Sequence, residues 1–336
     1  MFHIYHRVED LPASWDEVVG DHPFLKRSVL KCLQEVNPCK QLYHFNKEKG
    51  MALVSYELKL DLFTFSRRLS WRIPVNMIGV PMSVSSCGYA IKEEGHREDL
   101  VQYITTLRGF YIMLNSQDHF KFPKGHTLPT YQMQIKWSTF HEYLLDMRSH
   151  YRYRIKKAMK RFETVVVAEL EDQSLFDEEL YSLYEAVYEN SKEKLEKLPI
   201  EFFRDFPSKI ITFTANEETI GFVQLVVRQE SLLFIFGGFK HSLNHKYDLY
   251  MNMLLYIVDY GIKNGFQSID FGQTAEETKT KIGAIPHEKR MYLHHHNPVV
   301  KRILHRLAPK FSYGQYRVTH HIFKGENHED PTGKMS

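Results

Sequence analysis

The stretch KYDLYMNMLLYIVDYGIKNGFQSIDFG, Lys246–Gly272, changes period once, and that change sets the architecture around it. From Tyr247 to Asn264 the apolar residues recur at helical spacing. After Gly265 the chain from Gln267 turns into a short strand that stops at Asp270, Phe271 and Gly272. A helix that feeds straight into a strand belongs to a layered α/β arrangement.

Working outward, the residues before this unit read as an antiparallel meander: strands at Lys209–Ala215, Ile220–Arg228 and Leu232–Phe239, with the turn cluster Asn216–Thr219 between the first two. Helices are expected at about Ser174–Asn190 and Pro199–Phe206, after a strand from Thr164. Downstream, Thr274–Ala284 reads as a helical turn ending at Gly283, Met291 opens a last strand, and Pro298–Leu307 is a short basic amphipathic helix. Its Val299, Val300, Ile303, Leu304 and Leu307 are expected to dock on the domain, with a membrane surface or lipid-linked substrate as the alternative.

The first part alternates in the same way. Strands are expected from Ala52, over Trp71–Val80, from Phe110 and from Tyr131, with a helix at His96–Arg108. A long basic helix over 137–162 then carries Arg148, Arg152, Arg154, Lys156, Lys157, Lys160 and Arg161, either a phosphate grip or a solvated face.

Composition narrows the function. The 336 residues are enough for two cores, and 43% apolar with 25% charged residues is ordinary globular usage. A formal charge of +3 argues against a whole-molecule field for nucleic acid, so an anionic ligand needs a local patch. Cys32, Cys39 and Cys87 have no metal-ligand spacing and read as reduced thiols. His294–His296 lie in a strand, where neighbours face opposite sides, so no metal site is expected. The N-terminus MFHIYHRVEDLP lacks a signal-peptide pattern and no apolar run approaches the roughly 18 residues of a membrane span, so a cytoplasmic location without a transmembrane segment is expected.

Three local motifs carry a resemblance. TIGFVQLVV (Thr219–Val227), the helix–Gly–strand unit ending in Asp-Phe-Gly, and KTKIGA (Lys279–Ala284) together resemble the GNAT superfamily of N-acyltransferases, in its FemAB-like branch with two such domains in one chain. The resemblance implies an α/β (α+β) fold of two GNAT-like domains, each a mixed, largely antiparallel sheet flanked by helices. One spans 1–135; the other, 136–336, includes the linking basic helix and the donor site.

It also implies an acyltransferase that moves an acyl group from acyl-CoA or acetyl-CoA to an amine on a small-molecule or cell-envelope-precursor acceptor. Aminoacyl-tRNA as donor is the alternative, and a binding protein without catalysis is another. HSLNHKYDL (His241–Leu249) replaces the glycine-bearing pyrophosphate loop common in CoA-using members, and Thr278 stands where the FemAB-like branch has Phe.

The expected site follows. Phe236, Gly237 and Gly238 end the strand near the acyl donor, where glycines admit a ligand or make a bulge. Lys246, Tyr247 and Asp248 sit at a helix start whose amides and dipole suit a phosphate, Asp248 being alternatively an ordinary first-turn acid. Lys279 is the candidate to offset charge on a tetrahedral intermediate, or else a surface lysine. Asp270 and Gln273, at a strand end where clefts open, position an amine, orient Lys279 or simply bond the next loop.

Overall fold

In the computed structural model, residues 1–37, 39–61, 72–191, 197–314 and 320–325 are described. The strands, in chain order, are β1 (His3–Tyr5), β2 (Gln41–Asn46), β3 (Met51–Asp61), β4 (Arg72–Ile78), β5 (Tyr89–Ile91), β6 (Phe110–Ser116) and β7 (Lys124–His126). They continue with β8 (Thr130–Gln134), β9 (Val166–Glu169), β10 (Lys209–Ala215), β11 (Glu218–Arg228), β12 (Ser231–Phe239), β13 (Ser268–Asp270), β14 (Ile285–His287) and β15 (Arg290–His295). The strand expected at 71–80 is β4, with Trp71 outside the described residues.

These strands form two mixed, largely antiparallel sheets. One runs β1-β2-β3-β4-β6-β15-β7 with β5 on β3, and the other β14-β8-β13-β12-β11-β10-β9. Among the described residues, β4–β6 and β12–β13 are the parallel pairs. The sheets exchange strands across residue 135: β8 precedes it and pairs with β13, while β15 follows it and pairs with β6 and β7. A boundary at 135 therefore divides the chain without dividing the sheets.

The halves also share a core. Trp15, Leu33, Tyr43 and Phe45 belong to one buried cluster with Phe176, Phe202, Phe203, Phe206 and Phe222. Burial on this scale makes the junction part of the folding core rather than a hinge.

Helix Leu249–Lys263 packs on the second sheet through Leu249, Met253, Leu254, Ile257 and Val258. It ends in a left-handed Gly265 (φ 70°), with the Phe266 amide donating to the Gly261 carbonyl at 3.0 Å, which satisfies a carbonyl the helix end leaves open. The basic helix expected over 137–162 is two helices, Phe140–Asp146 and Ser149–Phe162. Met147 and Arg148 are extended between them because Met147 bridges Phe323 and the Arg148 amide donates to the Ile322 carbonyl at 2.9 Å.

Candidate functional site: an open strand edge beside a buried lysine

The parallel ladder between β12 and β13 lasts only from Ser231–Ser268 to Leu233–Asp270, whereas β12 runs on to Phe239. Because β13 ends at Asp270, β12 has no ladder partner on that side beyond Leu233, while β11 still pairs on the other. A backbone edge opened inside a domain is a place for a polar ligand, since its amides and carbonyls need partners. Opposite Gln224 and Leu225 the register slips, so that Ile235 bulges out between Phe234 and Phe236. Gln224 beneath it is fully buried; its Nε2 donates to Ser208 at 2.9 Å, and its Oε1 has no partner among the described residues.

Gly237 and Gly238 lie just past this bulge, and the structure gives each a packing role. A Cβ on Gly238 would sit 2.5 Å from the Leu183 carbonyl carbon and 2.6 Å from the Tyr184 nitrogen, so helix Glu178–Asn190, not a ligand, occupies that space. At Gly237 it would sit 3.0 Å from the Phe222 carbonyl oxygen. Gly238→Ala is expected to cost about 1–3 kcal/mol by overpacking, read as a lowered urea midpoint at unchanged slope. An unchanged midpoint would mean that the helix does not press on β12.

Beside this edge, β13 ends in Asp270, whose carboxylate gathers donors from three parts of the chain. Gln132 Nε2 donates at 3.0 Å, the Gly272 amide at 2.8 Å and Ser85 Oγ at 3.4 Å, and Thr130 Oγ1 donates as well. Thr130 and Gln132 come from the exchanged strand β8, and Ser85 from the loop between β4 and β5. Gln273 Nε2 reaches Asn115 Oδ1 at 3.1 Å and the Leu128 carbonyl. The groups around Asp270 and Gln273 thus come from both halves of the chain.

Next comes a tightly turned loop. Gly272 (φ 71°), Thr274 (φ 62°) and Ala275 (φ 51°) all occupy the left-handed region, which is unfavourable for Thr and Ala. The turn brings the carbonyls of Gly272 and Gln273 round to Lys279, whose ammonium donates to them at 3.2 and 2.6 Å. Lys279 is 2% exposed and so is not a surface lysine. Burial pulls its pKa down to about 7, against the opposing pull of Asp270 and Glu276. A lysine so tuned exists in both protonation states near neutral pH.

Lys289, just before β15, is a second buried lysine, lowered by burial and held up by Asp270. Sequence reasoning missed Lys289, Ser85, Thr130, Gln132 and Asn115. Only Gln132 left a trace, as the polar position between Tyr131 and Met133 in an alternating strand.

The expected donor loop is built differently from the simple helix start. Asn244–Tyr247 is a single helical turn, Asp248 is left-handed (φ 44°), and the helix proper begins at Leu249. Asn244 Oδ1 accepts from the Tyr250 amide at 3.0 Å, so one of the first amides is already engaged. Arg161, from the basic helix, donates to the Asp248 carboxylate at 3.0 Å, and the exposed Lys246 lies over the Tyr247 ring at 4.8 Å. Lys246, Tyr247 and Asp248 are therefore neighbours at one end of helix Leu249–Lys263, apart in sequence from the Asp270–Lys279 cluster.

The three consecutive histidines separate. His294 Nε2 meets the Leu107 carbonyl, His295 Nδ1 accepts from the Asn297 amide, and His296 Nδ1 accepts from the Gly109 amide. Among the described residues, no three His, Cys, Asp or Glu side chains converge as for a metal, no disulfide involves Cys32, Cys39 or Cys87, and no helix is long and apolar enough to cross a membrane.

Known proteins share this fold. Residues 149–280 match the family described as an acetyltransferase (GNAT) domain. No curated protein matches in sequence. The chain is similar in structure to the C-terminal domain of a putative lysylphosphatidylglycerol synthetase from Agrobacterium fabrum, with TM-score 0.55 and 9% identity over 87% of this chain and 94% of that one. It is also similar to L-PGS from Bacillus licheniformis, with TM-score 0.54 and 12% identity over 88% of this chain and 95% of that one. FemX gives TM-score 0.53 and 11% identity over 90% of this chain and all of that one. Residues 149–280 thus carry the match to an acetyltransferase (GNAT) domain, and the chain as a whole shares its two-sheet fold with FemX.

Proposed function

We propose that the protein is an N-acyltransferase that passes an acyl group from an activated donor, acyl-CoA in the first reading, to an amine bound between the two sheets. The observation that carries this is the juxtaposition of the β12 edge left unpaired past Leu233 with Asp270 and the buried Lys279. In this reading the donor carbonyl lies against the free edge of β12 near the bulge at Ile235, where fixed amides polarise it without reorganisation. The amine lone pair forms the N–C bond, and the bond from the carbonyl carbon to the leaving group breaks. Lys279, as its ammonium, offsets the oxyanion and gives its proton to the leaving group; the proton shed by the amine then restores it. Asp270 and Gln273 hold the loop that aims Lys279, and the domain-spanning bonds of Asp270 keep that aim rigid.

Aminoacyl-tRNA as donor is a second reading with its own support. Helix Ser149–Phe162 exposes Arg154, Lys156, Lys157 and Lys160 beside the loop His241–Asp248, to which Arg161 ties it. A phosphodiester backbone suits such a row.

Isothermal titration with acetyl-CoA and desulfo-CoA separates the readings. Micromolar binding weakened about tenfold by Lys246→Ala and retained in Lys279→Ala supports a CoA donor at this loop. Absence of binding to either compound rejects it and leaves the tRNA donor or a donor-less binding protein.

A further inference from the structure

Helix Pro298–Leu307 docks on the first sheet through one side only. Val300 and Leu304, with Ala308, pack on Leu293, Phe110 and Ile112, whereas Val299, Ile303 and Leu307, expected to dock with them, stay exposed. Past the helix, the turn Ala308–Phe311 and Ser312 come back against β7. The His126 amide donates to Ser312 Oγ at 3.0 Å, and the Tyr313 amide donates to the His126 carbonyl at 3.0 Å. Gly125 permits this approach, since a Cβ there would sit 2.9 Å from the Ala308 carbonyl oxygen.

Between this turn, β7 and β15 lies a cavity of about 470 Å³, a volume that suits a small molecule. Lys124 and His126 of β7, Arg290 of β15, His305 of the helix and Ser312 line it, with Phe122 and Pro309 as its apolar wall. No carboxylate is among the lining residues. Among the described residues Arg290 has one carboxylate within reach, that of the exposed Glu288 at 3.8 Å, and its other arm donates to His119 over a long 3.5 Å. Ser312 Oγ accepts from the His126 amide and so keeps its own hydrogen to donate. The His126 Nδ1 atom is buried without a partner among the described residues, and such an atom calls for a bound group.

We propose that this cavity binds a small soluble phosphomonoester, with Arg290, Lys124 and Ser312 on the phosphate oxygens and the organic part against Phe122 and Pro309. The arrangement of donors favours phosphate over carboxylate. A carboxylate lies in one plane and is satisfied by a single guanidinium fork, whereas a phosphate presents three terminal oxygens to donors arriving from different directions. Here they arrive from β7, β15, the helix and the turn after it. The hydrogen bonds that pin the turn to β7 hold Ser312 and His126 in place beforehand, so little ordering cost falls on binding. None of these residues belongs to the Asp270–Lys279 cluster or to the loop His241–Asp248, so the inference does not depend on the transfer reaction.

Isothermal titration of the full chain with phenyl phosphate and with benzoate tests it. Saturable binding of phenyl phosphate is expected, weakening as salt is raised, with benzoate about tenfold weaker or more. Arg290→Gln is expected to weaken phenyl phosphate about tenfold or more, because the guanidinium supplies charge-assisted bonds that the amide does not. Lys124→Gln, at an exposed position that the core does not use, should weaken it in the same direction and carries the test if Arg290→Gln fails to fold. Lys246→Ala, at the loop His241–Asp248, should leave it unchanged. No saturable binding in the parent overturns the proposal, and so does equal binding by the parent and Lys124→Gln. Loss of binding in Lys246→Ala would place the anion at the other loop and overturns it too, and benzoate binding as tightly as phenyl phosphate overturns the choice of phosphate.

Discussion

Lys279→Met is expected to flatten the rise in stability that the parent shows between about pH 7 and pH 10. In the unfolded chain a lysine titrates near 10.4, whereas burial holds Lys279 at about 7 in the fold. Between those values the unfolded chain binds the extra proton, so stability must climb as pH rises and level off as the unfolded lysine deprotonates. The full swing is about 5 kcal/mol at most, because each pH step of one between the folded and unfolded pKa values contributes about 1.4 kcal/mol. Methionine has no proton to bind, so its curve lacks this contribution. It also leaves the Gly272 and Gln273 carbonyls without their donor, a loss of about 1–3 kcal/mol. The deficit of the variant is therefore greatest near pH 10 and shrinks toward pH 6. Urea unfolding of both proteins across this range is the measurement, and parallel curves would show that Lys279 is not held at a lowered pKa. Under the proposed mechanism the same variant should lose about 10²–10³-fold in transfer rate once a donor is in hand.

Asp270→Ala is expected to destabilise the protein by about 3 kcal/mol or more. Its carboxylate accepts from Thr130, Gln132, Gly272 and Ser85, and each donor left unmatched in a partly buried place has a cost of about 1–3 kcal/mol unless water reaches it. Two buried lysines, Lys279 and Lys289, would also lose the negative charge that holds their pKa values up. Asp270→Asn keeps acceptor capacity and shape, so it should be milder in stability yet equally damaging to the electrostatics of the site. Denaturant midpoints of the three proteins check this; a neutral Asp270→Ala would mean that water replaces the carboxylate for its four donors.

Gly238 teaches how a motif can be read correctly as a place and incompletely as a cause. A glycine pair at the end of a strand announces close approach, and close approach is present, but to the backbone of helix Glu178–Asn190. Sequence carries no record of which neighbour arrives. The basic helix fails for a related reason: Phe140–Asp146 and Ser149–Phe162 are continuous in helical pattern, and the break at Met147–Arg148 comes from pairing with Ile322 and Phe323, far along the chain.

Short-range physics determined much of this protein from its sequence. The periodicities placed the meander β10–β12, the helix Leu249–Lys263 and the strand ending at Asp270, because alternation and helical spacing act between residues a few positions apart. The motifs around Gly221, Asp270 and Lys279 pointed to the acetyltransferase (GNAT) domain that residues 149–280 match. Tertiary structure alone decided the exchange of β8 and β15 between the sheets, the early end of the β12–β13 ladder, and the burial that turns Lys279 from an ordinary cation into one tuned near neutrality. Each of these depends on partners far along the chain or on the exclusion of water by both halves together, and neither leaves a local pattern in the sequence.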